Sequence, residues 1–341
     1  MVIVMRPGAN EAEINEVSKV LESLGLGIHI SKGTERTIIG VIGDKRLLND
    51  VPLELMTGVE KLVAIAEPYK LAGKTFKPEP SVIDVGGVKI GGKEIVIMAG
   101  PCAVENRQQI LEAAHAVKKS GAQVLRGGAF KPRTSPYAFQ GLEEEGLKYL
   151  KEAKDETGLL LITEVTSERA VESAAGFVDI FQIGARNVQN FQLLKEVGRS
   201  KKPVLLKRGP STTIDEWLNA AEYIMSEGNY DVILCERGIR TFETATRNTL
   251  DISAVPVLKS LSHLPVFVDP SHAAGKAHYV PSLSKAAIAA GADGLIIEVH
   301  PNPKCALSDA AQQLTPSVFD DLCKDISKIA EILGREFKYD K

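Results

Sequence analysis

The apolar and polar positions of the chain follow two different rhythms, and the change falls near residue 94. Before it, a strand pattern in "VIVMR" leads to a helix pattern in "NEAEINEVSKVLESLG", where Ile14, Val17, Val20, Leu21 and Leu24 recur at helical spacing and Gly25 supplies a stop. Strand patterns in "GIHISKG" and "RTIIGVIG", a second helix around "LLNDVPLELM" and a last strand in "EKLVAIAEP" complete the order βαββαβ. That order predicts a small ferredoxin-like unit over residues 1–70. Residues 71–93 read as a Lys- and Pro-containing linker followed by a short hairpin in "VIDVGGVKIGG".

Over residues 94–341 eight apolar, β-rich runs alternate with helical segments: "EIVIMAG", "QVLRGGA", "LLLITEV", "IFQIGAR", "PVLLKRG", "VILCERG", "PVFVDPSH" and "GLIIEVHP". Strands this apolar are buried on both faces, as parallel strands are. The segment "TTIDEWLNAAEYIMSEG" opens with a Thr213–Glu216 capping-box pattern. Gly121, Gly158, Gly176, Gly198 and Gly291 follow helix patterns where a left-handed terminal residue is expected. Eight β/α units in roughly 245 residues predict a closed (β/α)₈ TIM barrel, so the fold class is α/β with a ferredoxin-like domain in front.

Composition narrows the partners. The 341 residues carry a net charge of -3 and 44% hydrophobic content, an ordinary globular balance with no field to attract nucleic acid or an acidic membrane. The four cysteines are far apart, and no apolar run approaches the roughly 20 residues of a membrane span. Free thiols and a cytoplasmic location are expected.

In a barrel of this kind the site is built at the C-terminal strand ends, and here every strand ends in a chemically active residue. Cys102 ends the first, Arg126 and the Lys131 loop the second, Glu164 the third, and Gln182 with Arg186 the fourth. Lys207, Arg237, Asp269 with His272, and Glu298 with His300 end the others. Closure brings Cys102, His272 and Glu298 together, with Asp309 in the following loop. A thiolate, an imidazole and two carboxylates suit a borderline divalent ion such as Mn²⁺, Fe²⁺, Co²⁺ or Zn²⁺; calcium and magnesium prefer oxygen alone. The cations Arg126, Lys131, Arg133, Arg186, Lys207 and Arg237 converge on one mouth of a negatively charged protein, so more than one anionic group is expected there. Strand alternation turns Arg208 away from Lys207. A metal beside a multi-anion pocket fits carbonyl activation of a phosphorylated substrate.

The motifs "AGPCAVE", "LRGGAFKPRTSP", "QIGARN", "LLKRG", "LCERG", "VDPSH" and "IIEVHP" occur in an order that closely resembles the metal-dependent 3-deoxy-D-arabino-heptulosonate 7-phosphate (DAHP) synthases with an N-terminal ferredoxin-like regulatory domain. The resemblance covers essentially the whole chain. It implies condensation of phosphoenolpyruvate with erythrose 4-phosphate, the first step of the shikimate pathway toward the aromatic amino acids. It implies one divalent ion per subunit on Cys102, His272, Glu298 and Asp309. Arg126, Lys131, Gln182, Ala185, Arg186, Lys207 and Arg237 are then substrate contacts, mainly for phosphoenolpyruvate, while Arg133, Thr134 and Ser135 take the phosphate of the sugar. Lys131 is the candidate acid for the forming alkoxide, and Glu164 a candidate for steering water. The resemblance further implies a homotetramer and feedback inhibition by tyrosine, phenylalanine or both, with His29 and Ser31 in "GIHISKG" the candidate effector contacts; the alternative is a first domain that only caps the barrel or mediates assembly. The alternatives are a 3-deoxy-D-manno-octulosonate 8-phosphate synthase, whose corresponding loop reads more like Lys-Ala-Asn-Arg-Ser-Ser, and a noncatalytic amino-acid sensor on the same barrel.

Overall fold

A computed structural model of the chain describes residues 1–33, 36–42, 45–48, 51–63, 68–132, 135 and 137–339. It divides into two compact units, Met1–Pro68 and Tyr69–Lys341.

The first unit is a four-stranded antiparallel sheet in which β1 (Val2–Met5), β2 (Gly27–Lys32), β3 (Thr37–Ile42) and β4 (Val59–Val63) take the order β2-β3-β1-β4. That is the strand order of a ferredoxin-like fold. Helix α1 (Glu11–Ser23) starts at a capping box, in which Asn10 accepts from the Glu13 N–H and the Glu13 carboxylate accepts from the Asn10 N–H. Its buried stripe of Ile14, Val17 and Leu21 packs with Ile3, Met5, Ile39, Val41 and Val59. Among the described residues of "LLNDVPLELM" the expected second α-helix is not found. Two short 3₁₀ turns, Lys45–Leu48 and Leu53–Leu55, stand there instead. Pro52 sits at the start of the second turn, where it supplies no backbone N–H and biases the residue before it away from helical geometry.

In the second unit the hairpin of β5 (Ile83–Val85) and β6 (Val88–Ile90) precedes eight parallel strands that close on themselves. These are β7 (Val96–Gly100), β8 (Val124–Arg126), β9 (Leu160–Glu164), β10 (Ile180–Ile183), β11 (Val204–Lys207), β12 (Val232–Glu236), β13 (Val266–Val268) and β14 (Gly294–Glu298). Closure is made by β14 pairing with β7, Glu298 opposite Gly100.

Alternation along each strand sorts its side chains between two cores. Val96, Met98, Val124, Ile162, Ile180, Leu205, Ile233, Cys235, Phe267 and Ile296 fill the barrel interior. Their neighbours Ile97, Leu125, Leu161, Phe181, Leu206, Leu234, Val266 and Ile297 lie under the helices. Gly121, Gly158 and Gly291 end helical segments at positive φ, whereas two of the expected terminators do something else. Gly176 keeps right-handed helical geometry, and Gly198 lies inside the helix Phe191–Arg199. A Cβ on Gly198 would stand 2.7 Å from the carbonyl oxygen of Ile224, so this glycine allows two helices to approach closely.

Candidate active site

The interior parity of the strands continues into the mouth of the barrel. Two residues beyond Val124, Ile162, Ile180, Leu205, Cys235, Phe267 and Ile296 stand Arg126, Glu164, Gln182, Lys207, Arg237, Asp269 and Glu298, all on the inward-facing register. Cys102 continues the Val96 and Met98 series past Gly100. One arithmetic of alternation therefore sets an inward-facing polar residue at the end of each of the eight strands. It also turns Arg208 outward, where it is buried against Glu236 (3.0 Å) and Asp251 (2.8 Å) and is lost to the mouth.

At the junction of β7 and β14 the side chains of Cys102, Glu298 and Asp309 each offer an atom within 4.8 Å of the others. Cys102 Sγ is 3.5 Å from Asp309 Oδ2. His272 enters from one side, its Nε2 3.5 Å from Glu298 Oε1 and 3.9 Å from Asp309 Oδ2. Ligands held about 2.0–2.3 Å from a tetrahedral ion stand about 3.3–3.8 Å apart; the 3.5 Å separations meet that spacing, the thiol, imidazole and carboxylates are a donor set for a borderline divalent cation, and His272 lies outside the three-residue group.

His272 is set by the "DPSH" turn, a short helix Pro270–Ala274 capped by Asp269. Asp269 Oδ2 lies 2.7 Å from His272 Nδ1 and also accepts from Lys207. Burial pushes the Asp269 carboxyl up, but His272 and Lys207 outweigh it and hold the group well below its ordinary value. A carboxylate can only accept, so Nδ1 donates to Asp269 and leaves Nε2 turned toward Glu298 and Asp309. Glu298 and Asp309 are likewise raised by burial and lowered further by His272 and neighbouring cations, ending below their ordinary range. The Cys102 thiol goes the other way: burial, then the Glu298 charge, pushes it up to about 12. A thiol raised that far is protonated at neutral pH.

The rest of the mouth is a cavity of about 670 Å³. Arg126, Lys131, Arg186, Lys207, Arg237, Arg240 and Arg247 line it, together with Ser135, Glu164, Gln182, Ala185, His272 and Asp309. Two of the expected cations carry acid partners: Arg126 with Glu298 at 2.8 Å, and Lys207 with Asp269. Arg237 is buried and lies near the His272 carbonyl, while Arg186 is exposed and reaches the Pro132 carbonyl. Gln182 donates to Glu164 at 3.3 Å. Among the described residues Arg126 Nε is buried without a hydrogen-bond partner.

Lys131 folds back from its loop, its Nζ 2.9 Å from the Cys102 carbonyl oxygen and 3.1 Å from the Cys102 Sγ. Gly128 makes that possible, since a Cβ there would lie 2.8 Å from the same carbonyl and 2.9 Å from Lys131 Cδ. Ser135 is exposed at the rim; Arg133 and Thr134 lie outside the described residues.

Sequence reasoning left Arg240 and Arg247 unassigned and missed Gln312 and Gln313. All four act through the loops after β12 and β14, where no strand periodicity signals direction. The sequence signal for the glutamines is the pair "QQ" that begins three residues after Asp309.

A closed parallel barrel with a metal-competent pocket opening into a cation-lined cavity defines a (β/α)₈ enzyme of multiply anionic substrates. The DAHP synthetase I family profile matches residues 69–333, and that of the DAHP synthase ferredoxin-like domain matches residues 1–67. This chain belongs to the DAHP synthetase I family. It is 54% identical over 334 residues to the phospho-2-dehydro-3-deoxyheptonate aldolase of Thermotoga maritima, covering 98% of this chain and 99% of the relative. A crystal structure of the DAHP synthase from Thermotoga maritima superimposes with a TM-score of 0.80 at 52% identity, covering 99% of both chains. The 2-dehydro-3-deoxyphosphooctonate aldolase of Geobacter sulfurreducens is more distant, 33% identical over 73% of this chain and 97% of its own length. The rival sugar is therefore not favoured.

Proposed function

We propose that this protein condenses phosphoenolpyruvate with D-erythrose 4-phosphate and water, giving 3-deoxy-D-arabino-heptulosonate 7-phosphate and inorganic phosphate. The observation that carries the reading is the mouth itself, where seven cations line one cavity beside a thiol, an imidazole and two carboxylates. The unpartnered Arg126 Nε supports it, because a buried donor left unsatisfied costs about 1–3 kcal/mol and a substrate oxygen removes that cost. Arg126, Lys131, Gln182, Ala185, Arg186, Lys207 and Arg237 hold the carboxylate and phosphate of phosphoenolpyruvate. Arg133, Thr134 and Ser135 hold the phosphate of the sugar.

Cys102, His272, Glu298 and Asp309 hold one Mn²⁺, Fe²⁺, Co²⁺ or Zn²⁺, which when bound supplies a Lewis acid at the aldehyde. C3 of phosphoenolpyruvate forms the new bond to the aldehyde carbon, and Lys131 Nζ gives its proton to the resulting alkoxide. Glu164, held by Gln182, steers water to C2; the phosphate then leaves with cleavage of its bond to C2. That Lys131 lies against Cys102 and also lines the cavity supports this role.

Residues 1–70 form the regulatory domain, 71–93 the linker and hairpin, and 94–341 the catalytic barrel. The effector is tyrosine or phenylalanine, and the assembly is a cytoplasmic homotetramer. Two facts support His29 and Ser31 as effector contacts. Both are exposed on β2, and both point away from Ile28 and Ile30, which pack toward the core of the unit. On the same face, Ser31 pairs with the 38%-exposed Ile38, and Gly40 leaves room opposite His29. Among the described residues no helix is long and apolar enough to cross a membrane.

The test is phosphate release from phosphoenolpyruvate with erythrose 4-phosphate or arabinose 5-phosphate, with and without chelator. Release with the four-carbon sugar alone, lost on chelation, is expected. Release with arabinose 5-phosphate would reassign the sugar, and none with either would leave the sensor. A chain lacking residues 1–70 is expected to keep turnover and lose inhibition by tyrosine or phenylalanine; an inhibited truncation would place the effector on the barrel.

A further inference from the structure

Gln312 is almost fully buried and does not line the cavity, yet it touches the metal pocket on two sides. Its Nε2 donates to Glu298 Oε2 at 2.6 Å. Its Oε1 accepts from Arg247 Nη1 at 3.0 Å, and the same nitrogen lies 3.3 Å from Asp309 Oδ1. The other oxygen of Glu298 is taken by Arg126 Nη1 at 2.8 Å. Both oxygens of Glu298 thus have a fixed donor before any cation arrives.

We infer that Gln312 is a positioning residue of the metal pocket, a buried amide that fixes the Glu298 carboxylate and ties it, through Arg247, to Asp309. The inference rests on the metal reading above and concerns this chain's own hydrogen bonds toward that ion. The chemistry explains the residue type. A carboxylate only accepts and a guanidinium only donates, so a side chain standing between them must do both, which an amide does. Methionine in that place fills the space with neither bond.

The next residue does the same for the thiol strand. Gln313 Oε1 accepts from the Cys102 N–H at 3.0 Å and its Nε2 donates to the Ser308 carbonyl at 2.9 Å. Two successive glutamines therefore fasten the 308–313 segment to the ends of β7 and β14. That segment carries Asp309 in a left-handed conformation, φ 49°, a region that aspartate enters more readily than most residues other than glycine. Hydrogen bonds to ligating carboxylates keep ligand atoms at their spacing, and their loss typically weakens a metal about 10–100-fold.

The experiment titrates full-length, metal-stripped protein with Co²⁺ and follows the thiolate-to-Co²⁺ absorption. Gln312→Met is expected to weaken Co²⁺ binding about 10–100-fold, with KM for phosphoenolpyruvate at saturating Co²⁺ little changed. Circular dichroism and thermal melting check that the variant is folded; if it is not, Gln312→Asn, which keeps the amide but shortens its reach, carries the test. A folded variant with Co²⁺ affinity within about twofold of wild type would overturn the inference, being far below the expected loss. Wild-type protein without the thiolate absorption would instead overturn the metal reading.

Discussion

The two ends of the barrel are made by the same eight strands and could hardly differ more. At the N-terminal end the hairpin β5–β6 lays Ile83, Val85 and Ile90 into one apolar cluster with Val96, Val124, Ile162 and Ile233, while Gln123, Asp179 and Asp293 accept from the backbone N–H groups of Ile97, Leu161 and Val266 at its edge. At the C-terminal end the same inward register ends in Arg126, Glu164, Lys207, Asp269 and Glu298, which are charged and mostly buried. Burial there is endured through pairing: Arg126 meets Glu298, and Lys207 meets Asp269. A buried pair of this kind adds little net stability, because desolvation offsets the attraction. The lower end therefore supplies stability, which the upper end draws on to keep groups poised for substrates and an ion.

That contrast can be broken from either side. The largest effect is expected from Lys131→Ala, which removes the proposed proton donor: kcat falls about 10²–10⁴-fold while Co²⁺ still binds. Steady-state kinetics beside a Co²⁺ titration check it, and near-normal turnover would remove Lys131 from that role. At the opposite end Ile90→Ala empties a fully buried position and should cost about 2–5 kcal/mol in denaturant unfolding, with kcat of the folded enzyme unchanged.

The pH dependence of metal binding is next in size. With the Cys102 thiol pushed up to about 12, each bound ion displaces one proton, so affinity should rise about tenfold per unit between about pH 7 and 9. A flat Co²⁺ titration across that range would show the thiol is not a ligand. In acid the sign concerns Asp269. Its folded value is depressed, so its contribution to stability is fully present above the unfolded value of about 3.9 and is lost as pH falls toward the folded one. The smallest effect belongs to neither end: Asp155→Ala removes an exposed pair with Lys151 and should shift stability by no more than about 0.5 kcal/mol.

Much of the site was legible because strand alternation is a local rule. Once "PVLLKRG" is a parallel strand, Leu205 pointing inward obliges Lys207 to do so and sends Arg208 outside, where it meets Glu236 and Asp251. The ferredoxin-like unit was legible in its strands and first helix, where capping and spacing agree. Its second helix was misread because the apolar spacing of "LLNDVPLELM" suits a helix whereas Pro52 does not, and packing settled the segment as two 3₁₀ turns. Gly198 was misread for a related reason: a glycine near a helix end looks like a terminator until the neighbouring helix shows why no side chain fits.

By itself the sequence determined the order of elements, the closed barrel they imply and the ring of polar residues at the strand ends, since periodicity and strand parity act over a few residues. Only the tertiary structure decided which of those residues pair with each other, that the Cys102 thiol is held protonated, and that Gln312 and Gln313 fasten the Asp309 segment to two strands. Those outcomes depend on distances between residues far apart in the chain, and on how much water is left around them.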